Sequence, residues 1–186
     1  MIKTKLISNN FKIKSYSEQF PEIKIVSFEK RRDDRGYLLK TFTSQELQQE
    51  IESLDEIYYS FSKKNIIRGI HMQTKPYGLI KLVTCVNGLI NDFFIDLRIS
   101  SPTYKQFGSI ELNDEQGVII PYGFGHGFSV LSETATVLYV QNGLYNKENE
   151  IGVNPLSLSF DWKVSDPILS ERDKSLPNID SVNFKL

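Results

Sequence analysis

The 186-residue chain is 40% hydrophobic and 24% charged, with a net charge of −1. That is enough apolar material for one full core, and it gives no general attraction to nucleic acid or to an acidic membrane surface. No apolar run approaches the roughly 20 residues of a membrane span, and the first ten residues hold no apolar stretch of signal-peptide length, so a cytoplasmic protein binding neither nucleic acid nor membrane is expected.

Residues 1–20 are polar and weakly patterned. They are expected to form an N-terminal arm or edge strand of a single domain spanning 1–186. The first strand-like run is Ile23 to Phe28. One helix follows: Thr43 and Glu46 have capping-box spacing, and Leu47, Ile51 and Leu54 repeat on one helical face. Further strand-like runs are Lys81 to Val86, Ile90 to Leu97, Val118 to Ile120 and Thr136 to Gln141, all rich in Val, Ile, Phe, Tyr or Thr. Turn-forming pairs punctuate them: Asn87-Gly88, Ser101-Pro102, Asn113-Asp114, Gln116-Gly117 and Tyr122-Gly123. Asn87-Gly88, between two strand-like runs, predicts a hairpin. The tail, 165–186, holds a short helix beginning at Ser170, with Asp173 three residues on. Short strands at this spacing, without alternating long helices, predict an all-β sandwich or barrel.

The chain has two histidines, His71 in Arg68-Gly69-Ile70-His71-Met72-Gln73 and His126 in Pro121-Tyr122-Gly123-Phe124-Gly125-His126-Gly127-Phe128. Metal-binding β-barrels typically present two His one residue apart, and His71-Met72-Gln73 lacks the second. No clustered oxygen-ligand loop is visible either, so no metal is expected. There is no glycine-rich phosphate loop. Arginine is the remaining phosphate-gripping option: Arg35 and Arg68 each precede a Gly, although both also read as ordinary surface residues beside turns. Cys85, the sole cysteine, lies among apolar neighbours and reads as a buried small residue; no Ser sits in a nucleophile-elbow pattern. What remains is acid–base chemistry by His, Lys, Tyr and carboxylate. His71 and Lys81 stand close enough in sequence to face one barrel interior, and Tyr139 and Tyr145 lie in a later run.

In this order and spacing, Asp34-Arg35-Gly36, Ile67-Arg68-Gly69-Ile70-His71-Met72-Gln73, Lys81-Leu82-Val83, Asp96-Leu97-Arg98, Ser101-Pro102-Thr103, the glycine-rich stretch around His126, Glu150-Ile151-Gly152 and Leu169-Ser170-Glu171-Arg172-Asp173 carry a resemblance. From about Ile25 to Pro177 the chain resembles the RmlC-like nucleotide-sugar epimerases, typified by dTDP-4-dehydrorhamnose 3,5-epimerase. The resemblance implies a cupin-type jelly roll, a homodimer, and catalysis without metal or other cofactor. It implies a nucleotide-diphosphate 4-keto-6-deoxy sugar as substrate, in deoxysugar and surface-polysaccharide synthesis. His71 corresponds to the base that removes a proton next to the C4 ketone, Asp173 to the carboxylate orienting it, and Lys81 to the cation beside the C4 oxygen. Tyr139 corresponds to the acid on the opposite ring face. Gln73, Tyr145 and His126 correspond to pocket residues, and Arg35 and Arg68 to diphosphate ligands. Asp173 also reads simply as a first-turn residue after a Ser170 cap.

Departures bear on substrate. Tyr58 stands where the family often has Asn, Lys40 where an acidic residue follows the Arg35-Gly36 motif, Met72 where an aromatic follows the first His, and Phe107 where a Trp often follows Ser-Pro-Thr. Rival readings are a single-centre epimerase on a CDP-, UDP- or GDP-linked sugar, a 3,4-ketoisomerase, and a non-catalytic nucleotide-sugar-binding cupin.

Overall fold

A computed structural model describes residues 4–6, 11–42 and 44–184. Fourteen strands are defined among them. In chain order they are β1 (Thr4–Leu6), β2 (Phe11–Ser15), β3 (Lys24–Phe28), β4 (Lys30–Asp33), β5 (Gly36–Leu39), β6 (Glu56–Lys63), β7 (Ile67–Gln73), β8 (Lys81–Asn87), β9 (Ile90–Asp96), β10 (Phe107–Leu112), β11 (Gln116–Ile120), β12 (Phe124–Val130), β13 (Thr134–Gln141) and β14 (Glu150–Gly152). Two helices, α1 (Ser44–Ile51) and α2 (Glu171–Lys174), are peripheral. The strands form a seven-stranded sheet in the order β1-β2-β3-β11-β8-β13-β6 and a five-stranded sheet in the order β10-β9-β12-β7-β14; β4 and β5 make a separate hairpin. All pairings between these strands are antiparallel. The fold is all-β, a cupin-like jelly roll.

From β6 to β9 the chain changes sheet at every connection. Asn87-Gly88 therefore makes a corner rather than the expected hairpin: β8 belongs to the seven-stranded sheet and β9 to the five-stranded one. Glycine is required at the corner, since Gly88 has φ +92° and an added Cβ would lie 2.2 Å from the Thr134 carbonyl oxygen.

Three apolar clusters follow. Val83, Phe94, Phe124, Phe128 and Val137 fill the space between the sheets. Ile70, Phe93, Ile95, Trp162 and Leu169 cover the outside of the five-stranded sheet with the C-terminal segment. Ile51 of α1 packs with Val26, Leu82, Ile119 and Val140 outside the seven-stranded sheet. β9 is thus buried on both faces, and its polar residues Asn91, Asp92 and Asp96 are buried with its apolar ones.

The five strand-like runs all become strands. Missed are β4, β5, β10 and β14, β7 and β12, whose glycines mask their strand character, and β6, whose outward face is aromatic and exposed. The helix is shorter than predicted: Ile51 is buried, but Glu52 takes φ 56° and stops the turn, leaving Leu54 exposed beyond it. The proposed Thr43–Glu46 cap and the Leu47 side chain lie outside the described residues.

Candidate active site

Along the strands lining the interior, the inward stripe changes from apolar to polar. In β13 it runs Val137, Tyr139, Gln141, and in β8 it runs Cys85, Val83, Lys81. The polar ends meet in a cleft between the sheets. One compartment, about 350 Å³, is walled by Glu56, Tyr58, Gln73, Lys81, Gln141 and Tyr145. A second, about 300 Å³, is walled by Ser60, Arg68, His126, Tyr139, Arg172 and Asp173. His71, Tyr58, Lys81 and Glu150 border both. The size suits a substrate of tens of atoms.

His71 projects from β7, and its Nε2 lies 2.8 Å from Asp173 Oδ1 across 102 residues of sequence. Ser170 caps α2 by accepting the Asp173 N–H at 3.1 Å. Both readings of Asp173 therefore hold together: its backbone belongs to the cap and its carboxylate to the imidazole. Burial pushes the Asp173 carboxyl up, but the hydrogen bond and charge of His71 outweigh it and hold it below the usual carboxylate range. A carboxylate accepting from Nε2–H leaves the lone pair on Nδ1. Among the described residues Nδ1 has no hydrogen-bond partner, and Glu150 Oε1 is 3.8 Å away.

Across the cleft, β8 and β13 of the other sheet supply Lys81 and Tyr139. Burial lowers Lys81 to about 8, with the Asp92 charge opposing that shift. Burial raises the Tyr139 phenol, with Tyr58 adding to the effect, so the phenol keeps its proton throughout the neutral range. His126 is buried, its Nε2 2.8 Å from Asp92 Oδ2. Burial drives the two groups of this pair in opposite directions, His126 down and Asp92 up.

The remaining sequence candidates divide by position. Gln73 lines the cleft, but its amide is engaged: Oε1 accepts from the Asn146 N–H at 2.6 Å, and Nε2 donates to the carbonyls of Tyr77 at 2.7 Å and Leu144 at 3.3 Å. Tyr145, half exposed, donates its hydroxyl to Glu150 Oε2 at 2.9 Å. Tyr58 stacks on Tyr139. Arg68 sits at the mouth and donates to Ser62 Oγ at 2.8 Å. Arg35 and Lys40 do not border the cleft of their own chain; Arg35 lies in the β4–β5 hairpin, ion-paired with Asp33 at 2.6 Å.

Sequence reasoning did not single out Glu150, Glu56, Gln141 or Asp92 for the site. Glu150 accepts hydrogen bonds from both Tyr145 and Arg172. The signal for Asp92 was available, as an acid placed between Ile90 and the apolar Phe93-Phe94-Ile95 of β9. Among the described residues no group of three or more His, Cys, Asp or Glu is arranged to hold a metal ion.

A profile of the dTDP-4-dehydrorhamnose 3,5-epimerase family matches residues 17–181. A dTDP-4-dehydrorhamnose 3,5-epimerase of Shigella flexneri is 34% identical, covering 83% of this chain and 90% of its own. A dTDP-4-dehydrorhamnose 3-epimerase of Streptomyces niveus is 37% identical, covering 78% and 74%. Among solved structures, the Legionella pneumophila dTDP-6-deoxy-D-glucose-3,5-epimerase in complex with dTDP-4-keto-L-rhamnose superposes with a TM-score of 0.85 at 27% identity, over 92% of this chain and 94% of that one.

Proposed function

We infer the reaction from two premises: the chain belongs to the dTDP-4-dehydrorhamnose 3,5-epimerase family, and a histidine–carboxylate pair faces a phenol and a lysine from the opposite sheet. The substrate is a dTDP-linked 4-keto-6-deoxy sugar, and the enzyme inverts a carbon next to its C4 ketone.

The second premise carries the mechanism. Inversion requires a proton to leave one ring face and another to arrive on the opposite face. A sugar held between the sheets has His71 on one side and Tyr139 on the other. His71, fixed by Asp173, takes the proton from the carbon. The electron pair moves onto the C4 oxygen, where Lys81 stabilises the enolate. Tyr139 then gives its proton to the carbon from the other face, and exchange with water restores both groups. The carboxylate acts by fixing the imidazole tautomer and stabilising the imidazolium. A positioned base supplies about 10²–10⁴-fold; the rest comes from the lysine and from orientation.

Arg68 at the mouth is the diphosphate ligand of this reading. Arg35, away from its own cleft, can serve only a partner's. A homodimer fits the outer face of edge strand β6, where Ile57, Tyr59 and Phe61 stand 53%, 71% and 56% exposed in one row. The enzyme is placed in the cytoplasm with the pool of nucleotide sugars; no helix of the described residues is long and apolar enough to cross a membrane.

Inversion at one carbon only is the second reading, favoured by the relative from Streptomyces niveus, which is named a 3-epimerase. Deuterium incorporation from D₂O into the sugar tests the reaction and locates the carbon.

A further inference from the structure

Tyr58 and Tyr139 are directly opposed partners across β6 and β13. Their rings stack at 4.7 Å between centroids, 13° from parallel. The His126 imidazole meets the Tyr139 ring at 6.2 Å and 77°, and is itself tied to Asp92. The Tyr139 phenol is therefore held by a ring face on one side and a ring edge on the other.

The fold does not need an aromatic ring at Tyr58. It sits on an edge strand, 41% exposed, outside the apolar clusters. Its inward neighbours along β6 are the polar Glu56 and Ser60. Its hydroxyl has one long contact, 3.4 Å to Gln141 Oε1. What the ring does cover is one face of Tyr139.

We propose that Tyr58 is a positioning residue that holds Tyr139 against the reacting carbon and so couples proton abstraction to inversion. This rests on the reaction assigned above. Once the carbon proton has moved to His71, the enolate has two fates. His71 returns a proton to the original face, restoring the starting sugar, or Tyr139 delivers one to the other face, completing inversion. Which fate wins depends on how much of the time the phenol is in place. Without the stack, Tyr139 regains rotamers that point its hydroxyl away from the carbon. A stacked aromatic pair is worth enough to change that occupancy roughly 2- to 10-fold.

The test is proton NMR in D₂O with a dTDP-linked 4-keto-6-deoxy sugar. It follows deuterium in substrate of original configuration and in inverted product separately. For Tyr58→Ala the ratio of inversion to exchange with retention falls roughly 2- to 10-fold from wild type, while total abstraction changes less. Tyr58→Phe, which keeps the ring, holds the wild-type ratio. Tyr58→Leu, with a better strand former, repeats the measurement should the alanine variant fold poorly. An unchanged ratio in the ring-less variants, even with both rates reduced together, overturns the inference. So does an equal fall in Tyr58→Phe, which would assign the effect to the hydroxyl. Absence of any exchange in the wild type would instead overturn the assigned reaction, and the positioning role with it.

Discussion

His71 and His126 lie directly opposite one another on β7 and β12, and each has a carboxylate 2.8 Å from its Nε2. Their surroundings separate their roles. His71 is partly exposed to the cleft, and its partner Asp173 is held ionised. His126 is buried, and burial lowers its pKa, so it remains neutral near pH 7. On the proposed reading the first is the base, set against a fixed counter-charge. The second braces the Tyr139 ring.

Replacing Asp173 with Asn keeps the shape of the pair and removes its charge. Asp173→Asn is expected to lose about 10²–10⁴-fold in kcat with little change in KM, measured by steady-state kinetics. A KM effect alone would make Asp173 a binding residue. The Ser170 cap is retained in this variant, but the stability that the depressed Asp173 carboxyl contributes at neutral pH is lost, so melting should fall modestly at pH 7.

On the proposed mechanism Lys81 sets an alkaline limit on activity. Its cation is lost as pH rises through about 8, so kcat should fall above that value. The same depression has the opposite sign for stability. Between about 8 and its ordinary 10.5 the unfolded chain binds the proton that the folded one has released, so this group adds stability as pH rises across that window. Lys81→Met should abolish activity and remove that rise, as followed by kcat–pH profiles and urea unfolding. An activity plateau through pH 10 would contradict the role given to the ammonium.

Gly69 is a matter of space. It has φ +108°, and an added Cβ would lie 2.6 Å from the His126 carbonyl oxygen and 2.7 Å from Gly127 Cα. Gly69→Ala should force β7 and β12 apart and cost about 2 kcal/mol or more, read from the shift of a denaturation midpoint. A midpoint within error of wild type would mean that the strands have room to spare.

Gln73 pins the segment that carries Tyr145. Gln73→Leu strands the Asn146 N–H and the Leu144 and Tyr77 carbonyls that the amide satisfies. A loss of about 1–3 kcal/mol is expected, with a raised KM as Tyr145 loses its place. Unchanged thermal unfolding would show that the segment is held by its other contacts, to Asp55, Glu56, Ile80 and Glu150.

Much of this was legible in the sequence, for identifiable reasons. Strands such as β8 and β13 announce themselves through β-branched and aromatic runs, and the Ser170–Asp173 spacing marks a cap. The hairpin expected at Asn87-Gly88 failed because a turn pair reports a local reversal and not which sheet the next strand joins. The glycines of β7 and β12 disguised two central strands; Gly69 is there to let those backbones approach. Glu150 was not legible as a site residue, because its place beside His71 depends on β14 pairing with β7. The resemblance implied a diphosphate-ligand role for Arg35 and a pocket position for Lys40, yet both stand off the cleft of their own chain; local spacing alone had read Arg35 as a surface residue beside a turn.

The most direct measurement of the central claim is solvent exchange. The enzyme is incubated in D₂O with a dTDP-linked 4-keto-6-deoxy sugar and followed by proton NMR. Deuterium should appear at C3, C5 or both, with inverted product accumulating, and His71→Ala should abolish both while still binding dTDP. No exchange by the wild type across dTDP-, UDP-, CDP- and GDP-linked 4-keto sugars, or exchange at the wild-type rate in His71→Ala, would contradict it.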